Sequence, residues 1–224
     1  MISRKPNQFK YVERRKRESM ALIPGWATDY RIFDSLDLDF NYLVPVGFSP
    51  DSFEEDLIEA LKEHNIKNLS LFGYSLGGFL ASRFASRYPA LIDELILVGI
   101  RVKYNKEELD MVRASLRRSK KGYLYKFYAQ SFVKEEEMRY FKKNLLRYYL
   151  EEMDLDYLLR TLDYLGTCEF KPEELREVRK IKIVHARDDK IAPIEEAFRI
   201  KAELPQAEMI TLKDGGHSPW IKRL

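Results

Sequence analysis

A serine flanked by glycines at a fixed spacing is the feature of this sequence with the clearest chemical meaning. Residues 71–79 read Leu-Phe-Gly-Tyr-Ser-Leu-Gly-Gly-Phe, so Gly73, Ser75 and Gly77 form the pattern G-x-S-x-G. An apolar run precedes the pattern and a helix-like run follows it. This context is typical of a nucleophile elbow, a tight strand-to-helix turn that exposes the serine hydroxyl. The turn presses the residues two before and two after the serine together, which favours glycine at both places.

A serine hydroxyl is a poor nucleophile unless a base accepts its proton and a third group orients that base. His217 follows Gly-Gly after the last predicted strand, and Asp189 follows the strand before it, in Asp-Asp-Lys-Ile-Ala-Pro. The order Ser, Asp, His suits a catalytic triad on this kind of turn. We therefore predict Ser75 as nucleophile, His217 as general base and then acid, and Asp189 as the residue that orients the histidine. Asp188 is the alternative acid, but its spacing from Pro193 fits less well.

The tetrahedral intermediate of acyl transfer needs backbone N–H groups that face its oxyanion. One predicted donor is the N–H of Leu76, directly after the nucleophile and at the positive end of the following helix. The other is the N–H of Trp26, in the Pro-Gly-Trp loop after the first parallel strand. The alternative for Trp26 is a residue that only packs, because the direction of its N–H cannot be read from the sequence.

The elements that must position these side chains alternate between strand and helix. Apolar runs and helical spacings over residues 20–100 give strand, loop, strand, helix, strand, helix, strand, and a further short strand is possible over residues 9–12. Residues 101–178 have helical spacing and no strand signal, and the strand pattern resumes at residue 181. We predict an α/β fold with a mostly parallel sheet flanked by helices. Residues 1–100 and 179–224 would form the core, and residues 101–178 an α-helical cap.

The composition excludes several classes of function. The 224 residues carry a net charge of only +3, which disfavours a nucleic-acid-binding protein. No run of 18 apolar residues is present, so we expect no membrane span. The single cysteine, Cys168, forbids an internal disulfide and suits a cytoplasmic protein. We find no His/Cys cluster and no glycine-rich dinucleotide loop, so we expect no metal and no organic cofactor.

Four short motifs in the same order resemble those of the α/β-hydrolase superfamily. They are the oxyanion loop at residues 22–26, the nucleophile elbow at 73–78, the acid loop at 185–193 and the histidine loop at 215–219. The resemblance implies the α/β-hydrolase fold and a Ser-Asp-His triad. One departure concerns Pro24, which stands where the superfamily usually has a histidine.

Within the superfamily, the Pro-Gly-Trp-Ala-Thr-Asp loop, the elbow and the stretch at residues 154–168 are similar to the pimeloyl-acyl carrier protein methyl ester carboxylesterases of biotin synthesis. That resemblance implies a serine carboxylesterase that cleaves the methyl ester of an acyl chain on an acidic carrier protein. It also implies that basic cap residues dock the carrier. The candidate docking residues are Arg113, Arg117, Arg118, Arg139, Lys142, Lys143 and Arg147.

The charge distribution gives carrier docking an independent basis. Residues 101–150 contain fourteen Lys and Arg but only six Asp and Glu, a local charge of about +8. Such a surface would attract an acidic partner, although a solvated helix face explains it equally well. Two other functions stay open: a general esterase or thioesterase for small molecules, and a ligand-binding protein that kept the fold without catalysis.

Overall fold

A seven-stranded sheet forms the centre of the molecule. The structure is a computed structural model that describes residues 9–47 and 49–221. In spatial order the strands run β1-β3-β2-β4-β5-β6-β7. Their bounds are β1 Phe9–Val12, β2 Ser19–Ile23, β3 Asn41–Pro45, β4 Leu69–Tyr74, β5 Ile92–Val98, β6 Ile181–Ala186 and β7 Glu208–Leu212. β1 pairs antiparallel with β3, and all other neighbours pair parallel. The predicted α/β class with a mostly parallel sheet is confirmed.

Helices connect the strands and fill the long insertion between β5 and β6. Within the described residues the α-helices are α1 Phe53–Glu63, α2 Leu76–Arg87, α3 Lys106–Arg118, α4 Lys120–Ser131, α5 Glu135–Phe141, α6 Arg147–Glu152, α7 Leu155–Thr167 and α8 Ile194–Glu203. A π-helical turn, Lys142–Leu146, joins α5 to α6. Short 3₁₀ turns lie at Tyr30–Phe33, Pro89–Leu91 and Pro172–Leu175. Helices α3 to α7 occupy the insertion for which the sequence predicts a cap. The exact boundaries of core and cap stay a prediction, and residues 1–8 and 222–224 lie outside the described part.

Apolar strands form because alternate side chains point to the two faces of the sheet and both faces are packed. Leu43, Leu71, Leu97 and Ile183 are completely buried on one of these faces. Helix α2 packs closely on this face, since a Cβ on Gly78 would lie 3.8 Å from Leu97 Cδ2.

The parallel strands bring the predicted motifs to one edge of the sheet. The registers between β2 and β4, between β4 and β5, and between β5 and β6 align the carboxyl ends of these strands. The oxyanion loop follows β2, the elbow follows β4, the acid loop follows β6 and the histidine loop follows β7. In open α/β sheets, ligands bind beyond the carboxyl ends of the strands, where such loops meet.

Candidate active site

The serine of the G-x-S-x-G motif sits on a strained turn between β4 and α2. Its backbone has φ of 52° and ψ of −113°, a conformation that a residue with a side chain rarely adopts. Its N–H donates to the carbonyl of Val98 at 2.9 Å, which ties the turn to the end of β5. A Cβ on Gly73 would lie 2.7 Å from the Gly77 carbonyl oxygen, so the predicted collision between the two positions is confirmed. The motif therefore fixes the backbone of the nucleophile candidate, Ser75.

The structure brings Asp189 and His217 together as a buried pair. The Nδ1–H of His217 donates to Asp189 Oδ2 at 2.7 Å, and both side chains are about 1% exposed. The other carboxylate oxygen accepts the N–H groups of Ile191 at 2.8 Å and Ala192 at 2.9 Å. The alternative acid, Asp188, is exposed. The carboxylate is thus fixed by the backbone of its own loop and turned toward the imidazole.

The environment of Asp189 keeps its carboxylate ionised. Burial alone would raise the pKa of this carboxyl group. The charge of His217, the hydrogen bond from His217, the Ala192 N–H and the nearby His185 together outweigh burial and hold the pKa below its usual value. An ionised carboxylate can accept the Nδ1–H bond and so leave Nε2 as the basic nitrogen.

The hydrogen bond between Ser75 and His217 is not formed in the structure. The Nε2 atom of His217 is buried and has no hydrogen-bond partner among the described residues. The Ser75 side chain lies beside the phenol group of Tyr104, in the loop between β5 and α3. The two candidates are nonetheless neighbours. A Cβ on Gly99, one residue beyond the Val98 carbonyl that holds the serine turn, would lie 2.9 Å from the His217 ring.

The loop after β2 lies directly against the serine turn. A Cβ on Gly25 would lie 3.1 Å from Ser75 Cβ, and one on Gly77 would lie 2.2 Å from the Ile23 carbonyl oxygen. This contact therefore requires glycine at position 25 in the loop and at position 77 in the serine turn. Within the described chain, neither the Trp26 N–H nor the Leu76 N–H donates to another backbone carbonyl across the loops. Leu76 follows Ser75 and Trp26 follows Gly25, so both predicted oxyanion donors belong to the two segments that meet here, and their role stays a prediction.

Trp26 also packs under the helical insertion, as the alternative for this residue predicts. Its indole N–H donates to the Leu158 carbonyl in α7 at 3.0 Å. Its ring makes edge contacts with Tyr123 and Phe127 of α4, at centroid distances of 6.3 and 5.2 Å. The side chain therefore anchors the oxyanion loop to the insertion, and its backbone N–H is left for a separate role.

The candidate docking cations of the insertion differ in how far their charge is neutralised. Arg113 pairs with Asp163 and, at 3.7 Å, with Asp110, so it offers little free charge. Arg117 and Arg118 are exposed at the end of α3 and form no ion pair with a described residue. Lys142 lies over the Tyr125 ring at 5.7 Å. The remaining three candidates are exposed, and the described part of the chain gives them no ion-pair partner; they are Arg139, Lys143 and Arg147.

Two residues near the site are not foreseen from the sequence. Tyr104 contacts the nucleophile candidate, and burial raises its pKa while the hydrogen bond from Ser75 opposes that rise. Ser131, at the end of α4, accepts the His217 N–H on its carbonyl oxygen at 2.8 Å. Neither residue belongs to a motif or a periodic pattern, so only the three-dimensional structure shows them.

Two further classes of site are absent from the described chain. Residues 9–47 and 49–221 contain no group of three or more His, Cys, Asp or Glu side chains arranged to hold a metal ion. In the same part of the chain, no helix has the length and apolar character needed to cross a membrane.

The fold and the loops at its sheet edge define an α/β protein with a serine-centred site. The profile of the α/β hydrolase fold family matches residues 24–223, nearly the whole chain. The chain therefore belongs to the α/β hydrolase family.

Known proteins of this family are similar to the chain at low identity. The RutD protein of Serratia proteamaculans (strain 568), which carries the provisional name of a carbamate hydrolase, is 21% identical over 187 residues, covering 78% of this chain and 68% of its own length. The AB hydrolase superfamily protein YisY of Bacillus subtilis (strain 168) is 26% identical over 197 residues, covering 79% and 69%. A thermophilic esterase from Thermogutta terrifontis superposes with a TM-score of 0.80 at 19% identity, covering 96% of this chain and 87% of its own. These relatives support the family and leave the narrower resemblance to pimeloyl carboxylesterases as a prediction.

Proposed function

We propose that this chain is a serine carboxylesterase that works through Ser75, His217 and Asp189. The observation that carries the proposal is the buried Asp189–His217 pair, whose unpartnered Nε2 atom lies at the same sheet edge as a strained serine. A partnerless basic nitrogen beside a serine hydroxyl is what general-base activation of that hydroxyl requires.

The reaction would begin when Ser75 turns from Tyr104 toward His217. Hydrogen bonds of this kind are often loose until substrate binds and tighten in the complex. His217 Nε2 then takes the serine proton while Ser75 Oγ forms a bond to the ester carbonyl carbon. Asp189 holds the imidazole in the required tautomer and stabilises the imidazolium, and it stays ionised throughout.

The same residues would complete the cycle. The N–H groups of Leu76 and Trp26 would bind the oxyanion, helped by the positive end of α2. His217 returns its proton to the departing alcohol, which leaves an acyl group on Ser75. Water, deprotonated by His217, attacks that acyl group; the bond to Ser75 Oγ then breaks, His217 returns the proton to this oxygen, and the carboxylic acid is released.

Labelling and turnover of a serine variant test this proposal. A fluorophosphonate probe should label the wild-type chain, and p-nitrophenyl esters should be hydrolysed. Ser75→Ala should lose the label and lower kcat by about 10⁴-fold or more. Ser86→Ala, in the same helix, is the control and should keep both. A wild-type chain that neither reacts with the probe nor hydrolyses esters would instead favour a ligand-binding protein that kept the fold.

The finer form of the proposal is that the substrate is a methyl ester on an acidic acyl carrier protein, as in biotin synthesis. Its support is the unpaired charge of Arg117 and Arg118 at the end of α3. Reversing both to Glu should lower kcat/KM for the carrier-bound ester about tenfold or more and leave the free methyl ester unchanged. Lys62→Glu with Lys67→Glu changes the net charge equally on the core and is the matched control. Equal turnover of free and carrier-bound ester would favour a general esterase or thioesterase.

A second candidate is a carbamate hydrolase. It is favoured by the RutD relatives, of which two are 21% and 24% identical to this chain. The same triad can attack a carbamate carbonyl, because the oxyanion and the general acid have the same tasks there. Comparing kcat/KM for a carbamate and for an ester of the same alcohol separates the two candidates, and both activities should vanish together in Ser75→Ala.

A further inference from the structure

A cavity of about 600 Å³ lies between helix α2 and the last part of the insertion, apart from the candidate catalytic side chains. Phe79, Ser82 and Arg83 of α2 form one wall, while Tyr164, Cys168 and Phe170 form the other. Ser75, Asp189 and His217 do not line it. Its volume falls in the range of pockets that hold small molecules.

Arg83 contributes the uncompensated charge of this cavity. Its guanidinium donates to the Pro50 carbonyl at 3.0 Å and stacks over the Tyr164 ring at 5.8 Å. It forms no ion pair with any described carboxylate, whereas two other cations of the cavity do. Arg87 pairs with Glu54 at 2.6 Å, and Lys171 pairs with Glu174 at 3.2 Å. Arg83 therefore keeps most of its N–H donors for a ligand, in a fork that matches a carboxylate.

Ser82 adds a second polar group without a partner. Its side chain is buried, with 9% of the residue exposed, and its hydroxyl has no hydrogen-bond partner in the described structure. Buried hydroxyl groups are normally hydrogen-bonded, and because Ser82 lines the cavity, a rotation about its χ1 angle would let the unpaired hydroxyl meet a ligand atom there. Phe79, Phe170 and Leu175 line the same cavity with apolar surface.

We propose that this cavity binds a carboxylate with an apolar chain, whose head group pairs with Arg83 and Ser82 and whose chain lies against Phe79 and Phe170. Among the described residues that line the cavity, Arg83 has a guanidinium without a carboxylate partner, which favours an anionic head group, and the apolar wall favours an apolar tail. The ligand would contact both α2, which begins directly after the nucleophile candidate, and the end of the insertion. The proposal does not depend on catalysis by Ser75, so the two stand or fall separately.

Cys168 provides a direct readout, because it lines the cavity and is the single cysteine of the chain. Burial raises the pKa of its thiol to about 11, so labelling by a thiol reagent is best followed at alkaline pH. Octanoate should slow the labelling of the full-length wild-type chain in a saturable way, and the concentration dependence gives its affinity. Octanol, which has the chain without the charge, and inorganic phosphate, which has charge without the chain, should both protect much less.

Variants identify the groups that hold the ligand. Arg83→Gln should weaken octanoate binding about tenfold or more, because a hydrogen-bonded charge pair is lost. Arg87→Gln, whose charge already has a partner, is the matched control and should stay within about twofold. Ser82→Ala should weaken binding severalfold and yet raise the urea midpoint of the free chain, since it removes an unsatisfied buried hydroxyl. A merely structural serine would not show these opposite effects.

Several results would overturn the proposal. One is unchanged Cys168 labelling at saturating octanoate; another is equal protection by octanol, which would remove the role of Arg83. Equal protection by phosphate would leave a plain anion site. Equal octanoate affinity in Arg83→Gln and wild type would show that Arg83 does not bind the head group. If Arg83→Gln unfolds, Arg83→Lys keeps the charge without the planar fork, and undiminished affinity there contradicts bidentate binding. Octanoate should protect Ser75→Ala as well as wild type.

Discussion

At the scale of single residues, the site combines one formed contact with one unformed contact. Asp189 and His217 are already joined at 2.7 Å in a buried setting. Ser75 contacts Tyr104, and His217 Nε2 has no partner among the described residues. The acid–imidazole pair is therefore already formed, whereas the contact between Ser75 and His217 that the proposed mechanism requires is not.

The orienting role of the acid gives the first prediction. Asp189→Asn should lower kcat for ester hydrolysis by about 10⁴-fold, because an amide stabilises the wrong imidazole tautomer and cannot offset the imidazolium charge. Asp188→Asn should change kcat by no more than about twofold, since Asp188 is exposed. Steady-state kinetics of the two variants provides the measurement, and comparable losses in both would remove Asp189 from the proposed triad.

His185 gives a prediction about stability and pH. This buried histidine donates its Nε2–H to the Ala192 carbonyl at 2.7 Å, and burial lowers its pKa. Below pH about 6.5 the unfolded chain gains a proton at His185 that the folded chain resists, so stability falls as pH decreases. The limit for one such proton is about 1.4 kcal/mol per pH unit. Asp189, whose pKa is lowered, acts in the same direction only at more acidic pH, below about 3.9.

Urea unfolding at pH about 7 and at pH about 5.5 measures this effect, because the two values lie on either side of the usual histidine pKa of about 6.5. His185→Gln keeps a donor for the Ala192 carbonyl and should lose part of the difference in unfolding free energy between the two pH values. His64→Gln, at a partly exposed histidine stacked on Tyr11, controls for the loss of a histidine elsewhere and should keep the difference. An unchanged difference in His185→Gln would mean that other groups cause the pH dependence.

The sequence predicts the residue identities at the site better than their contacts. The glycine pattern around Ser75 and the preference for Asp189 over Asp188 both follow from local spacing, and the structure places these side chains accordingly. The contact of Ser75 with Tyr104 depends on a rotamer and on the path of the loop after β5, which leave no local pattern. The neutralisation of Arg113 likewise depends on Asp163, fifty residues away.

At the scale of elements, helices α4 and α7 of the insertion each form a hydrogen bond with a loop of the site. The His217 N–H donates to the Ser131 carbonyl at the end of α4, and a Cβ on Gly216 would lie 2.2 Å from that carbonyl oxygen. Trp26 donates to the Leu158 carbonyl in α7. The histidine loop and the oxyanion loop are thus both attached to the insertion. Movements of α4 and α7 would therefore reach the candidate catalytic groups directly.

Close contact between the serine turn and the loop after β2 gives the third prediction. A Cβ at position 77 would lie 2.2 Å from the Ile23 carbonyl oxygen and 2.8 Å from that of Pro24. Gly77→Ala should therefore destabilise the fold by about 3 kcal/mol, because backbone must move on both sides. Gly166→Ala is the control: its Cβ would lie 3.3 Å from a single Leu109 methyl group, and alanine improves helix propensity by up to about 1 kcal/mol. Urea unfolding compares the two, and equal stability would show that the turn tolerates a side chain.

At the scale of the whole molecule, opposite charges are separated along the chain. The net charge is +3, and residues 101–150 carry +8, so the remainder carries 3 − 8 = −5. The alternation of strands and helices predicts the core architecture, because apolar periodicity reports which faces are buried. The same periodicity does not report how surface charges pair. The structure shows that the charge of Arg113, which is part of this excess, is neutralised by an ion pair with Asp163.

The charge separation leads to the last prediction, which concerns ionic strength. If the insertion docks an acidic carrier, kcat/KM for a carrier-bound methyl ester should fall steeply with salt, because the Debye length shrinks from about 10 Å at 0.1 M to about 3 Å at 1 M. The free methyl ester should show almost no salt dependence. Reversing Arg117 and Arg118 to Glu should flatten the slope for the carrier-bound ester, whereas Lys62→Glu with Lys67→Glu should preserve it. Parallel slopes for wild type and the Arg117/Arg118 variant would mean that these two cations do not guide a carrier, and the substrate would then be sought among small esters and carbamates.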